Sequence, residues 1–454
     1  MPMSKTSFAM AVIALLLATE HGNSQPVADQ VLALAEDAGH WIIASGMETE
    51  FGRAWPDDAL EAQIVGYDLG SGVAGKVVYF VALYRATGDS VYLSAARAGG
   101  DYLARVVEDA GSFEQPARRA SLYSGVAGIG VALELLRSVD ADPRHDAALD
   151  DVVALLDAWR VTSTEGDRWD ETFNDLLYGD AGTALFLAWL AERSGDRALR
   201  DRSHRAARFL ASLAVDAEVG HHWLFRRDRD FNLPNFSHGT AGVAYSLATI
   251  GSLTGDAALI DAASDGFDYI RSIAESADGA LRIPYGWPLE NWQGLYEFGW
   301  AHGLAGSALF FARLRQVGAG GAAGEFERLA VATLANIGLP GSPSPPFAEP
   351  STPLDLRFGR AGVLSVLAAP RYADDPAVTA TRDRLWMHLR DSAQRSDNGA
   401  WWEVDAPAFM GGGRAAYTGV LHGAAGIGLS LLKLHAALSN VQPYVALPDD
   451  PDTW

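Results

Sequence analysis

The sequence contains no cysteine among its 454 residues. This absence excludes disulfide bonds, thiolate zinc sites, iron–sulfur clusters and cysteine nucleophiles. Basic residues are also scarce, since 35 Lys and Arg stand against 57 Asp and Glu and give a formal net charge of −22. A nucleic-acid-binding protein needs clustered Lys and Arg to neutralise phosphates, so we expect no nucleic-acid partner.

Long hydrophobic runs are missing as well. No segment has eighteen uninterrupted apolar residues, so the sequence predicts no membrane span. The first 24 residues nevertheless have the layout of a cleavable signal peptide. Lys5 precedes an eleven-residue apolar run at 8–18, and the small residues Gly22 and Ser24 stand just before Gln25. The layout predicts an exported protein whose mature chain begins at Gln25.

Glycine, by contrast, is abundant and regularly placed. The pattern Gly-x-x-Gly occurs seven times, and successive copies are 53 to 64 residues apart. The copies begin at Gly72, Gly125, Gly179, Gly239, Gly303, Gly359 and Gly423. Seven units of this length account for nearly all of residues 25–445, which we therefore expect to form one repeat-built domain.

Each copy of the motif is followed by two runs with helical spacing. The first run is apolar all round and the second is amphipathic, as in the pair after Gly239 that is joined at Gly255-Asp256. A helix without a polar face belongs inside a protein, and an amphipathic helix belongs outside. The sequence therefore predicts an all-α fold, an α/α toroid or double-layered α/α barrel of seven inner and seven outer helices.

The residues beside two of these glycines resemble a known family. Trp300-Ala301-His302-Gly303 and Leu421-His422-Gly423, set within seven Gly-x-x-Gly repeats, resemble the lanthionine synthetase C-like (LanC-like) family. The resemblance implies the same double-layered toroid. For the family's cyclases it also implies a zinc ion on two Cys and one His. That zinc activates a peptide thiol, which adds to dehydroalanine or dehydrobutyrine to form a thioether ring.

The ligands of that zinc are mostly absent here. Ala301 and Leu421 stand where the family has its two cysteines, so His422 is the one ligand left. A single imidazole does not hold zinc at useful affinity, since sites need three or four ligands. We therefore expect no cofactor. The alternative is zinc or another metal held by histidines alone, at His238, His302 and His422.

Three histidines each directly precede the first glycine of a repeat: His238, His302 and His422. Equivalent positions on a closed ring should face one mouth of the central cavity, where neutral imidazoles can move protons. The resemblance adds Asp175 and a candidate acid/base role for His238, and it suggests that Glu297 and His302 replace the family's Arg and Tyr. The alternative is that each imidazole simply caps a helix or bonds a loop carbonyl.

Aromatic residues cluster just before several repeats and are candidates for substrate binding. Rings at a cavity mouth can stack on sugars or hold peptide side chains, although packing between helices is the ordinary role of such residues. The candidates are Trp223, Trp292, Tyr296 and Trp300. The acidic, Pro-rich tail at 446–454 is expected to be a solvated end.

The sequence thus predicts an exported, monomeric protein that binds or modifies a peptide in the toroid by His/Asp acid–base chemistry. Two alternatives stay open. One is a glycan-active enzyme, a glycoside hydrolase or polysaccharide lyase, which would use His and Tyr residues or an Asp175/Glu297 carboxylate pair. The other is a catalytically inactive scaffold.

Overall fold

The computed structural model describes most of the chain. The described residues are 27–61, 64–113, 116–277, 279–292, 294–336, 353–405 and 413–454. The predicted signal peptide, residues 1–24, lies outside them. None of the described helices is both long and apolar enough to cross a membrane.

Seven helices form an inner layer, and each begins directly after the first glycine of a Gly-x-x-Gly motif. They are α2 (Val73–Thr87), α4 (Val126–Arg137), α6 (Asp180–Ser194), α8 (Thr240–Thr254), α10 (Leu304–Gln316), α12 (Arg360–Leu367) and α14 (Ala424–Leu438). Each inner helix packs against the next, and α14 packs against α2, so the layer closes into a ring.

Seven further α-helices of the described residues surround this ring. They are α1 (27–44), α3 (Ser90–Glu108), α5 (Pro143–Trp159), α7 (Arg197–Ser212), α9 (Ala257–Ile273), α11 (Ala323–Ala335) and α13 (Pro376–Ser392). In five of them an aspartate at the N-cap accepts a bond from a backbone amide of the first turn, which stabilises the helix start. The α/α toroid predicted from the repeats is confirmed.

Helix α1 joins the two ends of the repeat array. Trp41 stacks on Trp401 at 5.7 Å, and the carbonyl of Ala35 accepts a bond from the Tyr79 hydroxyl of α2. The outer helix of the last unit therefore comes from the N-terminus of the chain.

The second glycine of each motif allows the loop to lie directly on its helix. A Cβ on Gly242 would be 1.9 Å from the carbonyl oxygen of Phe236, and one on Gly306 would be 2.0 Å from that of Trp300. No side chain fits at such distances, so this close approach requires glycine.

A closed ring of seven backbone hydrogen bonds links the loops before the inner helices. The residue two positions before each first glycine donates its amide to the carbonyl of the equivalent residue in the next repeat, at 2.8–3.2 Å. The members in order are Gly70, Tyr123, Leu177, Ser237, Ala301, Arg357 and Leu421, whose amide returns to Gly70. This ring sets the angular position of every residue beside it.

Six two-stranded antiparallel hairpins are found in the described residues. They pair β1 (Met47–Thr49) with β2 (Gly52–Ala54), β3 (Val161–Thr162) with β4 (Asp167–Arg168), β5 (Val215–Asp216) with β6 (His221–His222), β7 (Glu275–Ala277) with β8 (Ala280–Arg282), β9 (Gln394–Ser396) with β10 (Gly399–Trp401), and β11 (Val404–Asp405) with β12 (Arg414–Ala415).

Three tryptophans that follow such hairpins are part of the wall of the toroid. The indole N–H groups of Trp169, Trp223 and Trp402 each donate to a carbonyl at the end of the preceding outer helix, at 2.7–2.8 Å. Trp223, a predicted substrate-binding residue, is fully buried in this role. It is therefore not retained in the site.

The C-terminal tail is not a solvated end, contrary to expectation. Asp449 is 5% exposed and accepts a 2.8 Å hydrogen bond from the Tyr123 hydroxyl. The indole of Trp454 donates to the Tyr245 hydroxyl at 3.1 Å. The tail, 446–454, thus fills the ring beneath the loops, because its polar groups find buried partners there.

Candidate functional site

Two Asp–His pairs lie at the loop end of the toroid, and one arginine joins them. Asp175 Oδ2 is 2.7 Å from Nδ1 of His238, and Asp355 Oδ2 is 3.0 Å from Nδ1 of His422. The guanidinium of Arg357 places Nη2 3.3 Å from His238 Nε2 and Nη1 3.2 Å from His422 Nε2. One cation therefore bridges two imidazoles, and each imidazole is also hydrogen-bonded to a carboxylate.

The repeat explains why these pairs form. Asp175 stands four residues before Gly179 of the third repeat, and His238 stands one residue before Gly239 of the fourth. Because the backbone ring holds neighbouring loops together, the aspartate of one repeat faces the histidine of the next. The second pair reproduces this arrangement in the sixth and seventh repeats.

The hydrogen bonds decide which ring nitrogen of His238 carries the proton. Arg357 can only donate, so Nε2 of His238 accepts and Nδ1 donates to Asp175. Burial and the positive charge of Arg357 lower the pKa of His238, which is therefore neutral near pH 7. Burial also raises the pKa of Asp175 to about 8. Burial thus removes the usual advantage of the imidazole over the carboxylate in proton affinity, which favours proton transfer from an imidazolium to the carboxylate.

The third histidine lies beside the first pair. The ring of His302 is 5.2 Å from that of His238, and it stacks between Tyr285 at 4.8 Å and Phe358 at 5.7 Å. Burial, His238 and Arg357 lower the pKa of His302, so this imidazole is also neutral. The structure therefore brings all three predicted histidines together.

Glu297 belongs to the same surroundings. Burial raises its pKa to about 7, against the opposing charge of Arg357, and Asp355 raises it further. Asp175 bonds His238, whereas Glu297 interacts with Arg357 and the other Asp–His pair. The two carboxylates of the proposed glycosidase pair thus have different partners.

Three buried polar atoms of the site have no hydrogen-bond partner within the described part of the chain. They are Glu297 Oε2, His302 Nδ1 and Arg357 Nε. Buried polar groups are almost always paired in folded proteins. The site therefore has unused capacity to donate and accept hydrogen bonds.

The predicted aromatic residues lie at different depths. Trp292 contacts Tyr285 at 5.0 Å and so forms a second layer beside the histidines. Tyr296 bonds a glutamate on strand β7 instead. Trp300 packs on Tyr123 at 5.1 Å and lines an apolar cavity against the C-terminal tail. Of these three, Trp292 is the one placed to meet a ligand at the histidines.

Sequence reasoning missed Arg357, although its position carried a signal. On the backbone ring it lies between Ala301 and Leu421, the two positions where the resembling family has cysteines. All three residues stand two positions before the first glycine of a repeat. A long cationic side chain at that position necessarily reaches the residues around the lost zinc ligands.

The residues present do not fit the family's zinc ion. Ala301 and Leu421 offer no ligand atom, and Nε2 of His422 faces the guanidinium of Arg357. The same guanidinium faces Nε2 of His238, and a second cation there would be repelled. This also argues against a metal held by the three histidines.

One other cluster has metal-ligand geometry in the described residues. Ligand atoms of Asp101, Asp142 and His145 lie within 4.8 Å of one another on the outer layer. Arg144 pairs with both carboxylates, at 3.1 and 2.7 Å, and so supplies their counter-charge.

Comparisons with known proteins agree with this architecture. The family model for lanthionine synthetase C-like proteins matches residues 63–332. Nisin cyclase shares 15% sequence identity and superposes with a TM-score of 0.59 over 84% of this chain and 91% of that one. At this identity the likeness shows the fold alone.

Two glycan-active enzymes superpose less well. The α-1,6-mannanase GH76A of Salegentibacter sp. HEL1_6 has a TM-score of 0.42 at 15% identity, over 80% of this chain and 99% of that one. The unsaturated glucuronyl hydrolase of Bacillus sp. GL1 has a TM-score of 0.47 at 14% identity, over 92% and 98%. No curated protein matches the sequence.

Proposed function

Because the chain belongs to the lanthionine synthetase C-like family, we propose that it acts on a peptide at the loop end of its toroid by metal-independent proton transfer. The observation that carries the proposal is the Asp175–His238 pair, whose free ring nitrogen faces Arg357. The family resemblance also implies a candidate acid–base role for His238, and it places Asp175 where the family's cyclases have a functional aspartate.

His238 is the proposed base. The 3.3 Å separation between its Nε2 and Arg357 Nη2 is longer than the roughly 2.7–3.2 Å of an ordinary N–H hydrogen bond, so a substrate can replace the guanidinium there. Nε2 then accepts a proton from the substrate. Asp175, held 2.7 Å from Nδ1, takes up the Nδ1 proton of the imidazolium that results, because burial raises the pKa of its carboxyl group.

Arg357 supplies the positive charge of the site. A base next to a fixed cation suits proton removal from a carbon beside a carbonyl group. The proton passes to His238 Nε2, the C–H electron pair moves towards the carbonyl oxygen, and Arg357 offsets the charge that develops on that oxygen. In the addition of a thiol to dehydroalanine the S–H bond breaks and its proton passes to His238 Nε2. The sulfur then bonds Cβ, and the enolate that forms takes a proton from His238 at Cα.

The unpartnered atoms provide the binding contacts. A peptide group offers one donor and one acceptor, which complement Glu297 Oε2 and Arg357 Nε respectively. Peptide binding would thus satisfy buried groups that otherwise cost free energy.

Two further proposals concern the location of the protein and its oligomeric state. The signal-peptide layout of residues 1–24 supports export of the protein. Closure of the inner ring by a single chain supports a monomer.

A glycan-active enzyme is the second candidate function. The observation in its favour is Glu297, because a carboxyl group with a pKa of about 7 is a suitable general acid. Incubation of the mature protein with an oligosaccharide panel tests this candidate. Hydrolysis or lyase products that disappear in Glu297→Gln would establish it in place of peptide chemistry.

The test of the peptide proposal uses the mature chain from Gln25 and synthetic peptides that contain dehydroalanine and cysteine. Reaction in D2O is followed by mass spectrometry, since each addition places one deuterium on carbon and removes one thiol from alkylation. We expect turnover that EDTA leaves unchanged and that His238→Asn reduces about 10²-fold or more.

The matched control is His204→Asn. His204 pairs with Asp256 at 2.7 Å on the outer layer, so this variant removes an Asp–His pair without touching the site. Equal turnover by wild type and His238→Asn would refute the acid–base assignment. A chain that binds peptides without any turnover would be the inactive scaffold.

A further inference from the structure

A second feature lies beside the histidine site. A cavity of about 260 Å³ opens between the first and seventh repeats, and His422 forms part of its wall. Its other lining residues include Asp57, Asp58, Glu61, Ile64 and Tyr417. Pockets for whole small ligands usually measure about 300–1,000 Å³, so this cavity has room for one side chain of a larger ligand.

The cavity carries uncompensated negative charge. Asp57 lies 3.4 Å from the buried ammonium of Lys76, which offsets its charge. Asp58 and Glu61 have no basic partner in the described ranges. The Asp58 carboxylate is nevertheless held in place, since it accepts bonds from the amides of Leu60 and Ala416 at 2.9 and 3.0 Å.

Tyr417 lies in the field of the same two carboxylates. Its pKa is raised by burial and by the charges of Asp58 and Glu61. A tyrosine ring in such a field also offers its face to a cation.

One wall of the cavity is apolar. Ile64 is 69% exposed although it is a large hydrophobic residue, and it lines the cavity with the ring of Tyr417. An apolar wall in the same cavity as two carboxylates matches a side chain with an aliphatic stem and a cationic head. Lysine and arginine have this build, whereas an acidic or purely apolar side chain does not.

We propose that this cavity is a subsite for a lysine or arginine side chain of the peptide on which the protein acts. The proposal rests on the proposed function for its substrate class, and it adds a preference for basic peptides. A basic residue held here would place the neighbouring backbone beside His422 and Arg357. The net charge of −22 would also favour approach of such a peptide.

Ligand-observed NMR titration of the mature chain tests this subsite without requiring turnover. The probes are Ac-Gly-Gly-X-Gly-Gly-NH2 peptides with X as lysine, arginine, norleucine or glutamate, together with a glucosamine tetramer. We expect the lysine and arginine peptides to bind most tightly. Raising the salt concentration from 50 to 500 mM should weaken them but not the norleucine peptide.

Glu61→Gln removes one charge from an exposed loop position and so leaves the fold undisturbed. It should weaken lysine-peptide binding about threefold and leave the norleucine peptide unchanged. Glu218→Gln, an equally exposed site on the β5–β6 hairpin, is the matched control and should change nothing.

Equal binding of lysine and norleucine peptides, or no effect of Glu61→Gln, would overturn the subsite. Preference for the glucosamine tetramer would overturn its assignment to a peptide. Because binding is measured directly, loss of the subsite is distinguishable from failure of the proton-transfer proposal. Failure of the proton-transfer proposal appears as turnover that His238→Asn does not reduce.

Discussion

Arg357 Nη2 lies 3.3 Å from Nε2 of His238, although 119 residues separate the two in sequence. The contact places a permanent positive charge on the free nitrogen of the candidate base. It thereby sets the tautomer of His238. Burial first, and this charge second, lower the pKa of that imidazole.

The first prediction concerns that pKa. Replacing the cation in Arg357→Gln removes a charge that opposes protonation, so the pKa of His238 should rise towards the ordinary histidine value of about 6.5. NMR titration of the imidazole Cε1 protons measures the change. The partly buried pair His204–Asp256 on the outer layer provides an internal reference, and an unchanged His238 titration would contradict the assigned contact.

The second prediction concerns Asp175. Its pKa is raised from 3.8 to about 8, so the folded state binds this proton more tightly than the unfolded state does. The free energy of unfolding should therefore fall as pH rises between about 4 and 8, by up to about 1.4 kcal/mol per pH unit from this group.

Asp175→Asn cannot ionise and should lack this part of the pH dependence. Thermal unfolding followed from pH 5 to 8.5 compares the two proteins. We expect the variant to gain relative stability towards pH 8, and parallel curves would disprove the raised pKa. The same variant should lose about 10²–10⁴-fold in turnover, because an amide cannot take up the Nδ1 proton of His238.

The third prediction concerns zinc. The combination Ala301→Cys, Leu421→Cys and Arg357→Ala should bind one zinc ion, because two thiolates and His422 then surround a position free of the guanidinium. Metal analysis after dialysis measures stoichiometry. The double-cysteine variant that keeps Arg357 is the control and should bind zinc more weakly. Equal affinity of the two variants would show that Arg357 does not exclude the metal.

The fourth prediction concerns the tail. Deleting residues 446–454 removes the partners of Tyr123 and Tyr245 and opens the far end of the ring. We expect a lower unfolding temperature and increased binding of a hydrophobic dye. Val441→Ser, at an exposed position just before the deleted segment, should leave both properties unchanged. An unchanged unfolding temperature without the tail would mean that its contacts do not stabilise the fold.

Much of this architecture could be predicted from the sequence because it depends on local pattern. The glycine spacing reflects a close approach that no side chain permits, as at Gly242. Helices apolar all round must lie inside, which orders the layers. Once seven equivalent loops close into a ring, residues at one register must face the same end. The meeting of His238, His302 and His422 therefore followed from spacing alone.

Other features depended on contacts between distant residues. The repeat register indicates where Arg357 lies on the ring, but it does not show that the guanidinium contacts His422 and His238, which lie 65 and 119 positions away. Trp300 and His302 are two residues apart, yet one faces the tail and the other the histidine site. The acidic tail was predicted to be solvated because its buried partners, such as Tyr123, lie far from it in sequence. Repeat spacing thus determined the fold and the site's location, whereas only tertiary packing decided which charges meet there, since those contacts depend on distances across the closed ring.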